Sequence, residues 1–333
     1  EISACLVGSE MCIRDSHIRS LARPVDVLVA TPGRAQDLIN QGKLHLDAVR
    51  ITTLDEADQM ADMGFLPQVR KLLRLTPATG QRLLFSATLD GDVNKLVEQF
   101  LHDPIVHSTA PVQAAVDSMS HHLFFVGDRP TRNEVALRIA ARQGKTIMFM
   151  RTKHGVDRQV KKLRRAGINA YPLHGDKGQG ARTRAIEGFS DGSVPVLVAT
   201  DIAARGIDVA DVSLVVHIDP PAEHKAYLHR AGRTARGGAA GTVVTLVMDE
   251  QRKEVSALIS KAGVTATEHD ISSRDNPAGA PVLKEVTGAR KPNGPALPPP
   301  GQATPQNQAK PAKKKSPSQR RRPGSRNTRR RGR

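Results

Sequence analysis

From residue 17 to about residue 262, short runs rich in Val, Ile and Leu alternate with longer amphipathic stretches. The runs are apolar at successive positions, which is typical of strands whose two faces are both covered by helices. This alternation predicts α/β domains with parallel sheets. The predicted strands are residues 25–30, 49–54, 82–85, 146–150, 194–199, 212–218 and 242–247. The predicted helices are residues 68–75, 93–101, 132–142, 156–166, 182–189 and 252–262.

A polar, proline-containing stretch at residues 103–117 interrupts this pattern and predicts a domain boundary. We expect a first domain over residues 17–106, a linker over 107–117 and a second domain over 118–272. Residues 1–16 follow neither period, and we interpret them as a non-native segment, with a genuine strand and turn as the alternative. On either interpretation, we expect the true start of the protein to lie upstream.

Both cysteines, Cys5 and Cys12, lie within that first segment. The sequence after residue 16 therefore offers neither a disulfide framework nor a cysteine-based metal site, as is usual in a reducing compartment. No run of 18 apolar residues occurs, which argues against a membrane-spanning helix. The sequence thus predicts a cytoplasmic protein without a membrane partner.

The carboxyl-terminal residues are strongly basic. The chain has 50 Lys and Arg against 33 Asp and Glu, a net charge of +17, and 14 of the basic residues fall in residues 288–333, which contain no acidic residue. The same stretch holds nine of the 22 prolines and a single leucine, so it cannot bury enough apolar surface to offset its ordering entropy. We therefore predict a disordered basic tail over residues 273–333.

The tetrapeptide Asp55-Glu56-Ala57-Asp58 directly follows a predicted strand. Parallel sheets place their ligands at the carboxyl ends of strands, where one carboxylate can hold Mg²⁺ through water and the next can orient or deprotonate an attacking water. The same residues would also suit an acidic helix start, with Asp55 as the N-cap and Glu56 complementing the helix dipole. The tetrapeptide alone leaves both interpretations open.

Two further strand ends carry hydroxyl groups. The segment 31–34 (TPGR) ends a predicted strand and opens a helix, an arrangement that can bind phosphate through backbone N–H groups, a Thr hydroxyl and an Arg. The segment 86–88 (SAT) follows another predicted strand. Taken singly, each segment is more simply explained as a capped helix start.

In the second predicted domain, the segment 199–208 (ATDIAARGID) follows a predicted strand, and the segment 229–238 (HRAGRTARGG) comes later. Its arginines at 230, 233 and 236 recur every third residue, which predicts a cluster on one side of a helix or tight turn. Such clusters stabilise charge on a transferred phosphoryl group or hold nucleic-acid phosphates. A solvated basic face is the alternative.

Together, these segments resemble a known motif set. TPGR, LDEAD, SAT, ATDIAARGID and HRAGRTAR are similar to motifs Ib, II, III, V and VI of the DEAD-box RNA helicases of superfamily two. The segment 149–152 (FMRT) resembles motif IV, and Gln179 with Arg182 resembles the QxxR element. The resemblance covers about residues 17–270. It implies an α/β fold of two RecA-like parallel-sheet domains, the first one incomplete, with ATP and RNA bound in the cleft between them.

The resemblance also implies roles for individual residues. The catalytic residues would be Glu56, which positions the hydrolytic water, Asp55, which holds Mg²⁺ through water, and the arginine fingers Arg233 and Arg236. Residues that bind ATP or couple its hydrolysis to unwinding would be Asp58, Ser86, Thr88, Gly206, Asp208 and His229. The RNA backbone would be held by Thr31, Gly33, Arg34, Arg151, Thr152, Gln179, Arg182 and Thr200. ATP and Mg²⁺ are the implied cofactors, RNA is the implied partner, and ribosomal or mRNA-decay complexes are further candidate partners.

Three elements that the family places before TPGR, the Q motif, the Walker A loop and motif Ia, have no counterpart here. The tripeptide Gly144-Lys145-Thr146 is no substitute, because a P-loop needs glycine at position 139, where Ile139 stands. We therefore expect the chain as given to be inactive alone, residues 17–106 not to fold by themselves, and residues 118–272 to fold alone. A non-catalytic RNA-binding or annealing protein and a DNA helicase of the same superfamily are the alternatives.

Beside such a core, the basic tail is expected to bind RNA phosphates without sequence preference, since it lacks the aromatic side chains that stack on bases. A solubilising tail or a nuclear-localisation-like run is the alternative. Deletion of residues 288–333 is expected to leave the core intact.

Overall fold

A computed structural model of the protein describes residues 18–89, 91–108, 119–204, 209–236, 240–272 and 275–301. The chain divides into two compact units at the junction of residues 117 and 118, with Lys177–Thr183 grouped with the first unit. This junction falls at the end of the predicted linker, most of which lies outside the described residues. No helix in the described ranges is long and apolar enough to cross a membrane.

The first unit contains two short parallel strands and the helices that flank them. In chain order, its elements are α1 (Pro32–Asn40), β1 (Ile51–Leu54), α2 (Ala57–Asp62), α3 (Leu66–Leu75), β2 (Gln81–Leu84) and α4 (Gly91–Phe100). Ile51 lies opposite Gln81, and Leu54 lies opposite Leu84. The main core cluster buries one apolar face each of α3 and α4, with Leu66, Val69, Leu73, Leu96 and Phe100.

The predicted strand at residues 25–30 does not form, and that prediction is wrong. The segment pairs with neither β1 nor β2, which make a two-stranded sheet, and Val27 and Val29 are 81% and 91% exposed. A strand needs a hydrogen-bonded neighbour, and this segment finds none among the described residues. Apolar side chains beside the sheet, such as Ile51 and Phe85, are also more than half exposed. The expectation that this domain does not fold by itself stays a prediction.

The second unit is built on a seven-stranded parallel sheet. In chain order, its strands and α-helices are β3 (Met119–Gly127), α5 (Arg129–Ala140), β4 (Lys145–Phe149), α6 (Lys153–Arg165), β5 (Ala170–Leu173), α7 (Gln179–Ser190), β6 (Val196–Ala199), α8 (Asp201–Ala204), β7 (Val212–His217), α9 (His224–Ala231), β8 (Gly241–Met248), α10 (Arg252–Ala262), β9 (Thr267–Asp270) and α11 (Pro281–Thr287). The strand order is β5-β6-β4-β7-β8-β3-β9.

Helices cover the faces of this sheet, which is why its inner strands read as continuous apolar runs. Every residue of β6 is buried, and Phe124, Met148 and Val216 from three other strands join one core cluster. Helix α5 packs on β3 and β8, while α6 packs on β5 and β6. The strand ends that carry the candidate site are therefore held on a rigid support.

The structure continues past residue 272 as a packed extension, residues 275–301, which we call the strap. It consists of a 3₁₀ turn (Pro277–Gly279), α11 and an irregular segment. Ala278, Ala280, Leu283 and Ala289 are buried in the same core cluster as Ile139 of α5. The prediction of disorder from residue 273 onward is therefore wrong for the strap. A few small apolar side chains suffice to anchor it, and average composition does not register them. Residues 302–333 lie outside the described residues.

Backbone hydrogen bonds fix the strap along its length. Arg290 N donates to Arg138 O (3.0 Å), and Leu297 N donates to Arg164 O (2.8 Å). At its end, Gly301 N donates to the hydroxyl of Tyr171 on β5 (3.3 Å). The strap approaches the turn after α6 so closely that only glycine fits at residue 167. A Cβ on Gly167 would lie 2.4 Å from a backbone carbon of the strap. The φ of Gly167, +81°, also favours glycine.

Candidate functional site

The acidic tetrapeptide lies at the carboxyl end of β1, where the chain turns into α2. Glu56 is the residue before α2 and adopts the left-handed conformation, with φ 50° and ψ 50°. Asp55 Oδ1 accepts a hydrogen bond from Glu56 N at 2.9 Å, which supports this tight turn. A left-handed backbone at a residue with a Cβ costs about 1–2 kcal/mol, so the turn holds Glu56 in a conformation that the sequence does not favour locally.

The ends of β1 and β2 are joined by hydrogen bonds between the two predicted motifs. Asp58 N donates to Ser86 Oγ at 3.2 Å, and Ser86 Oγ donates to Thr88 O at 2.7 Å. The Asp58 side chain is only 2% exposed, whereas Asp55 is exposed and Glu56 is half-buried. The structure thus brings the acidic tetrapeptide and the SAT segment together, as their positions at neighbouring strand ends predict.

The carboxylates at this turn suit a magnesium ion bound through water. Asp55 presents an exposed carboxylate, and hard oxygen ligands are those that Mg²⁺ prefers. In the part of the chain that the structure describes, no group of three or more His, Cys, Asp or Glu side chains is arranged to hold a metal ion. The exposed carboxylate of Asp55 is therefore the group at this turn that would hold such an ion.

The TPGR segment opens α1. Thr31 is the extended residue before the helix, and its carbonyl oxygen accepts from Ala35 N at 3.0 Å, with Pro32 at the first turn. The guanidinium of Arg34 forms an ion pair with Asp37. Around Gly33 there is open space where a side chain would lie. Thr31 and Gly33 are exposed, so this helix start is accessible to a ligand from solvent.

In the second unit, Arg151 and Thr152 follow the end of β4. Arg151 N donates to Asp219 Oδ2 at 3.1 Å, and its Nη2 donates to Pro220 O at 3.4 Å. Thr152 caps α6, its hydroxyl accepting from Gly155 N at 3.0 Å. A Cβ on Gly155 would lie 2.9 Å from that hydroxyl oxygen, so the cap leaves no room for a larger residue.

Thr200 follows the end of β6, and the remaining predicted RNA contacts lie at the start of α7. Thr200 N donates to Leu173 O at 3.2 Å, and its carbonyl accepts from Ala204 N at 3.1 Å, which starts α8. Gln179 is the first residue of α7, and Arg182 N donates to Gly178 O at 3.2 Å. Gly206 and Asp208 lie outside the described residues.

A buried arginine ties α9 to two strand ends. Arg230 is 2% exposed and donates to both carboxylate oxygens of Asp201, from Nε to Oδ1 at 2.5 Å and from Nη2 to Oδ2 at 2.9 Å. Its Nη1 donates to Asp219 O at 2.8 Å, and its guanidinium lies 5.1 Å from the ring centre of Phe149. The carboxylate of Asp219 also accepts from Arg132 Nη1 at 2.7 Å. These contacts join the ends of β4, β6 and β7.

The sequence reasoning missed this network. It grouped Arg230 with its neighbours and passed over Asp201 and Asp219 as candidates. The signal for Asp219 was present, because this carboxylate follows a predicted strand in the same way as Asp55.

The three arginines of the last motif differ in their surroundings. Helix α9 ends at Ala231, so Arg233 and Arg236 lie in the turns that follow it, with Ala235 at φ 56°. Arg233 Nε donates to His229 O (3.3 Å), and Arg236 Nε donates to Gly232 O (3.2 Å). Both side chains are half-exposed, in contrast to Arg230. A small cavity next to them is lined by Phe149, Asp201, Ala204, Ala226, His229, Arg230 and Arg233.

A buried histidine lies at the end of β7, near Arg230. His217 is fully buried at the end of β7; its Nδ1 is 3.1 Å from Thr245 Oγ1, and its ring packs edge-on against Tyr227. Burial, followed by the charges of Arg230 and His121, holds the pKa of His217 well below its ordinary value. The imidazole is therefore neutral beside the guanidinium of Arg230.

Comparison with known proteins identifies the class to which this fold and these motifs belong. Residues 2–96 match the family described as DEAD/DEAH box helicase, and residues 131–238 match the family described as helicase conserved C-terminal domain. Together the two matches cover more than half of the chain. The chain belongs to the DEAD-box helicase family, as the motif set indicated.

Individual relatives agree with this assignment. The chain is 39% identical over 254 residues to the ATP-dependent RNA helicase RhlB of Pseudomonas syringae pv. tomato, a match that covers 75% of this chain and 64% of the relative. It is 37% identical over 256 residues to the ATP-dependent RNA helicase DBP2 of Scheffersomyces stipitis, covering 75% of this chain and 48% of the relative. The chain thus spans less than two thirds of the length of these curated relatives.

A solved structure confirms the predicted fold class. The structure of S. cerevisiae Dbp5 bound to RNA and ADP BeF3 matches with a TM-score of 0.66 and 29% sequence identity, covering 78% of this chain and 68% of that chain. The architecture is therefore that of two RecA-like α/β domains with parallel sheets.

Proposed function

We propose that this chain is part of an ATP-dependent RNA helicase that locally unwinds or remodels RNA duplexes. The observation that carries the proposal is the hydrogen bond from Asp58 N to Ser86 Oγ, because it joins the candidate hydrolytic turn to the candidate coupling segment. The names of RhlB and DBP2, and the RNA and ADP BeF3 bound to Dbp5 in its solved structure, support the choice of RNA and ATP.

In this mechanism, the turn after β1 performs the hydrolytic chemistry. The carboxylate of Glu56 orients the attacking water and accepts its proton, and the left-handed turn sets its direction. Asp55 would hold Mg²⁺ through water, and the bound ion would neutralise charge on the phosphate oxygens. Asp58, Ser86 and Thr88 couple ATP hydrolysis at this turn to the unwinding of RNA.

Closure of the two units on each other completes the ATP site. Arg233 and Arg236 then act as arginine fingers on the γ-phosphate, which in related phosphoryl-transfer systems is worth roughly 10³–10⁵ in rate. The family resemblance assigns His229 to coupling with Asp58, Asp208 to the ATP ribose and Gly206 to the same ATP-binding and coupling group; Gly206 and Asp208 lie outside the described residues. Hydrolysis is conditional on closure, since the fingers and the carboxylates belong to different units.

RNA is held by its backbone in this proposal. The candidate contacts on the first unit are Thr31, Gly33 and Arg34; those on the remaining segments are Arg151, Thr152, Gln179, Arg182 and Thr200. Contacts to phosphate and sugar carry no base information, so the core discriminates little between sequences. Strand separation follows when closure bends one strand out of A-form geometry.

The test uses a version of the chain extended upstream by a phosphate-binding GxxxxGKT loop. This version should separate short RNA duplexes in the presence of ATP and should leave DNA duplexes of the same sequence intact. Glu56→Gln should abolish ATP turnover and preserve RNA binding, while Glu98→Gln, an exposed acid on α4, should change neither. Unwinding of DNA alone would contradict the proposal.

A second candidate is a non-catalytic RNA-binding or annealing protein. It is favoured by the twelve Lys and Arg of residues 302–333, which can bind RNA phosphates without ATP. The chain as given should show no RNA-stimulated ATP turnover. If the extended version also shows none while it accelerates annealing of complementary RNAs, this second function replaces the first. Ribosomal or mRNA-decay partners and a cytoplasmic location stay predictions.

A further inference from the structure

Helix α6 carries a row of basic side chains along its solvent-facing side. His154, Arg158, Lys161 and Arg165 follow one another at intervals of four, three and four residues. At 3.6 residues per turn they lie within about 60° of one another around the helix axis and extend over roughly 16 Å. All four are exposed. We call these four residues the α6 row.

Nothing apolar accompanies the row. Val156, Val160 and Leu163 point into the core, so the exposed side of α6 is entirely polar or charged. The single acidic residue of the helix, Asp157, lies with its Oδ1 3.1 Å from Nε2 of buried His174. The helix therefore presents a linear, positively charged surface.

Further positive charge lies beside the row. The pKa of Lys162 is lowered, first by burial and then by the nearby charges of Arg158, Arg129 and Arg132. Arg129 stands at the exposed start of α5, so a second helix adds to the same positive surface. Arg132 is committed to Asp219 and is not part of this surface.

The two ends of the row adjoin features described above. Its amino end follows Arg151 and Thr152, the candidate contacts to the RNA backbone. Its carboxyl end adjoins Arg164, whose Nε donates to Pro298 O at 2.5 Å and whose carbonyl accepts from Leu297 N. The strap is thus fixed at the carboxyl end of α6 through its residues Leu297 and Pro298.

We propose that the α6 row is a second track for the RNA backbone, which leads from Thr152 to the carboxyl end of α6, where the strap is fixed. This inference rests on the proposed function, because it extends the RNA site beyond the family motifs. RNA fits the row better than a protein does. Protein interfaces have an apolar core, whereas Lys and Arg side chains can bind phosphates without any apolar contact. At roughly 3.4 Å per nucleotide in a stacked strand, the row spans four or five phosphates.

The test compares two triple variants of the full chain. The row variant carries Arg158→Gln, Lys161→Gln and Arg165→Gln. The matched control carries Lys253→Gln, Lys261→Gln and Lys284→Gln, which remove the same charge from exposed positions on α10 and α11 of the same unit. Fluorescence anisotropy gives the Kd for two single-stranded RNAs of about 20 nucleotides and unrelated sequence, over salt concentrations from about 50 to 300 mM.

The row variant should bind both RNAs about tenfold more weakly at low salt. The slope of log K against log salt should fall by up to about 2, because each lost phosphate contact removes about 0.7. The control should change Kd less than about twofold, since a surface charge away from the RNA acts only through screened, long-range attraction. Intrinsic tyrosine fluorescence confirms that both variants are folded.

Two binding results would overturn the inference, and they differ in what they say about the proposed function. If the unmodified chain binds RNA but the row variant and the control behave alike, the track is wrong while the proposed function stands. If the unmodified chain binds neither RNA, both fall together. A second test of the track needs no substitution. Bound RNA should protect Lys161, and not Lys253, from acetylation by an amine-reactive reagent. Equal modification of the two lysines would also overturn the track.

Discussion

Arg230 holds the carboxylate of Asp201 through two hydrogen bonds, from Nε to Oδ1 at 2.5 Å and from Nη2 to Oδ2 at 2.9 Å. Its Nη1 reaches the backbone of Asp219 at 2.8 Å. The helix that precedes the candidate arginine fingers is therefore attached to the ends of two strands by one buried side chain. The position of Arg233 and Arg236 depends on Arg230, which the motif pattern grouped with them.

Loss of this side chain should destabilise the second unit. Arg230→Ala removes the buried donor to the carboxylate of Asp201 and to the carbonyl oxygen of Asp219, and it should lower the free energy of unfolding by about 3 kcal/mol. Tyrosine fluorescence during urea unfolding reports this unit alone, because the two tyrosines of the chain, Tyr171 and Tyr227, lie in it and there is no tryptophan.

The control for this experiment is Arg138→Ala, which removes a solvent-accessible pair with Glu134 (3.1 Å). It should cost less than about 1 kcal/mol. Equal losses for the two variants would show that the Arg230 network contributes no more than a surface ion pair.

The candidate arginine fingers, Arg233 and Arg236, should affect the rate of ATP hydrolysis and not the stability of the fold. In the extended version of the chain, Arg236→Ala should lower kcat for ATP by roughly 10³-fold or more, with a much smaller effect on the Kd for RNA. Arg236 is half-exposed, so its removal should leave the urea midpoint unchanged. Lys253→Ala on α10 is the matched control. An intact kcat combined with weaker RNA binding would assign Arg236 to the RNA site.

The strap should be required for a stable second unit. Leu283→Ala deletes a fully buried side chain and should cost about 2–4 kcal/mol, whereas Lys284→Ala, at the next and exposed position, should cost less than about 0.5 kcal/mol. A chain that ends at residue 272 should unfold at a clearly lower urea concentration than one that ends at residue 301. Identical midpoints would show that the strap only rests on the surface.

Stability should fall on acidification. The pKa of His217 is held well below its ordinary value of 6.5 by burial, so below about pH 6.5 the unfolded chain takes up a proton that the folded chain does not. The free energy of unfolding should therefore decrease as the pH falls from 6.5 toward the folded pKa, by at most about 1.4 kcal/mol per pH unit for this group, and should not depend on it at higher pH.

His122 and His269 add to the effect with the same sign, since burial is the largest cause of the lowered pKa of each. The melting temperatures at about pH 7.5 and pH 5.5 measure this loss of stability. His217→Asn should reduce the difference between the two melting temperatures, and His154→Asn, at an exposed position, should not. An undiminished difference in His217→Asn would assign the effect to other groups.

The basic tail should contribute a sequence-independent, salt-sensitive part of RNA binding. The strap changes where the deletion must begin, because removing residues from 288 onward would also remove buried Ala289 and the contacts of Leu297. Deletion of residues 302–333 removes twelve basic residues and should flatten the salt slope by at most about 8, and by about half of that if half of them contact phosphate at once. Weaker binding of one RNA only would contradict a general electrostatic role.

The strands that the sequence predicted well are those with continuous apolar runs. Residues 194–199 and 212–218 were placed correctly because both faces of β6 and β7 are covered, which leaves an unbroken apolar signal. The edge strands β5 and β9 were missed, and so was β3, an inner strand whose apolar run at residues 123–126 follows the polar residues 120–122. Pro172 is tolerated in β5 because this strand has one neighbour only, and β9 is polar because most of it faces solvent.

The residues of the candidate site also differ in how well the sequence predicts their positions. Asp55, Ser86 and Thr200 stand directly after apolar runs, so their place at strand ends follows from the sequence. The inward course of Arg230 does not, because three arginines at equal intervals carry no signal of which one is buried. The strap was missed for a related reason. Ala278, Ala280 and Leu283 are buried in the same core cluster as residues of α5, which is far away in the sequence, so local composition does not predict their burial.

The position of the strap has a consequence for how the protein is made. Synthesis from β3 to Leu283 takes roughly 10–30 s at about 5–20 residues per second, and during that time the surface of α5 that Leu283 covers faces water. A chain released from the ribosome soon after residue 236 would contain Arg233, Arg236 and every strand of the second unit's sheet except β8 and β9, but it would lack the strap that covers part of α5. Such a chain would carry the family motifs and still be recognised by chaperones and proteases as unfinished.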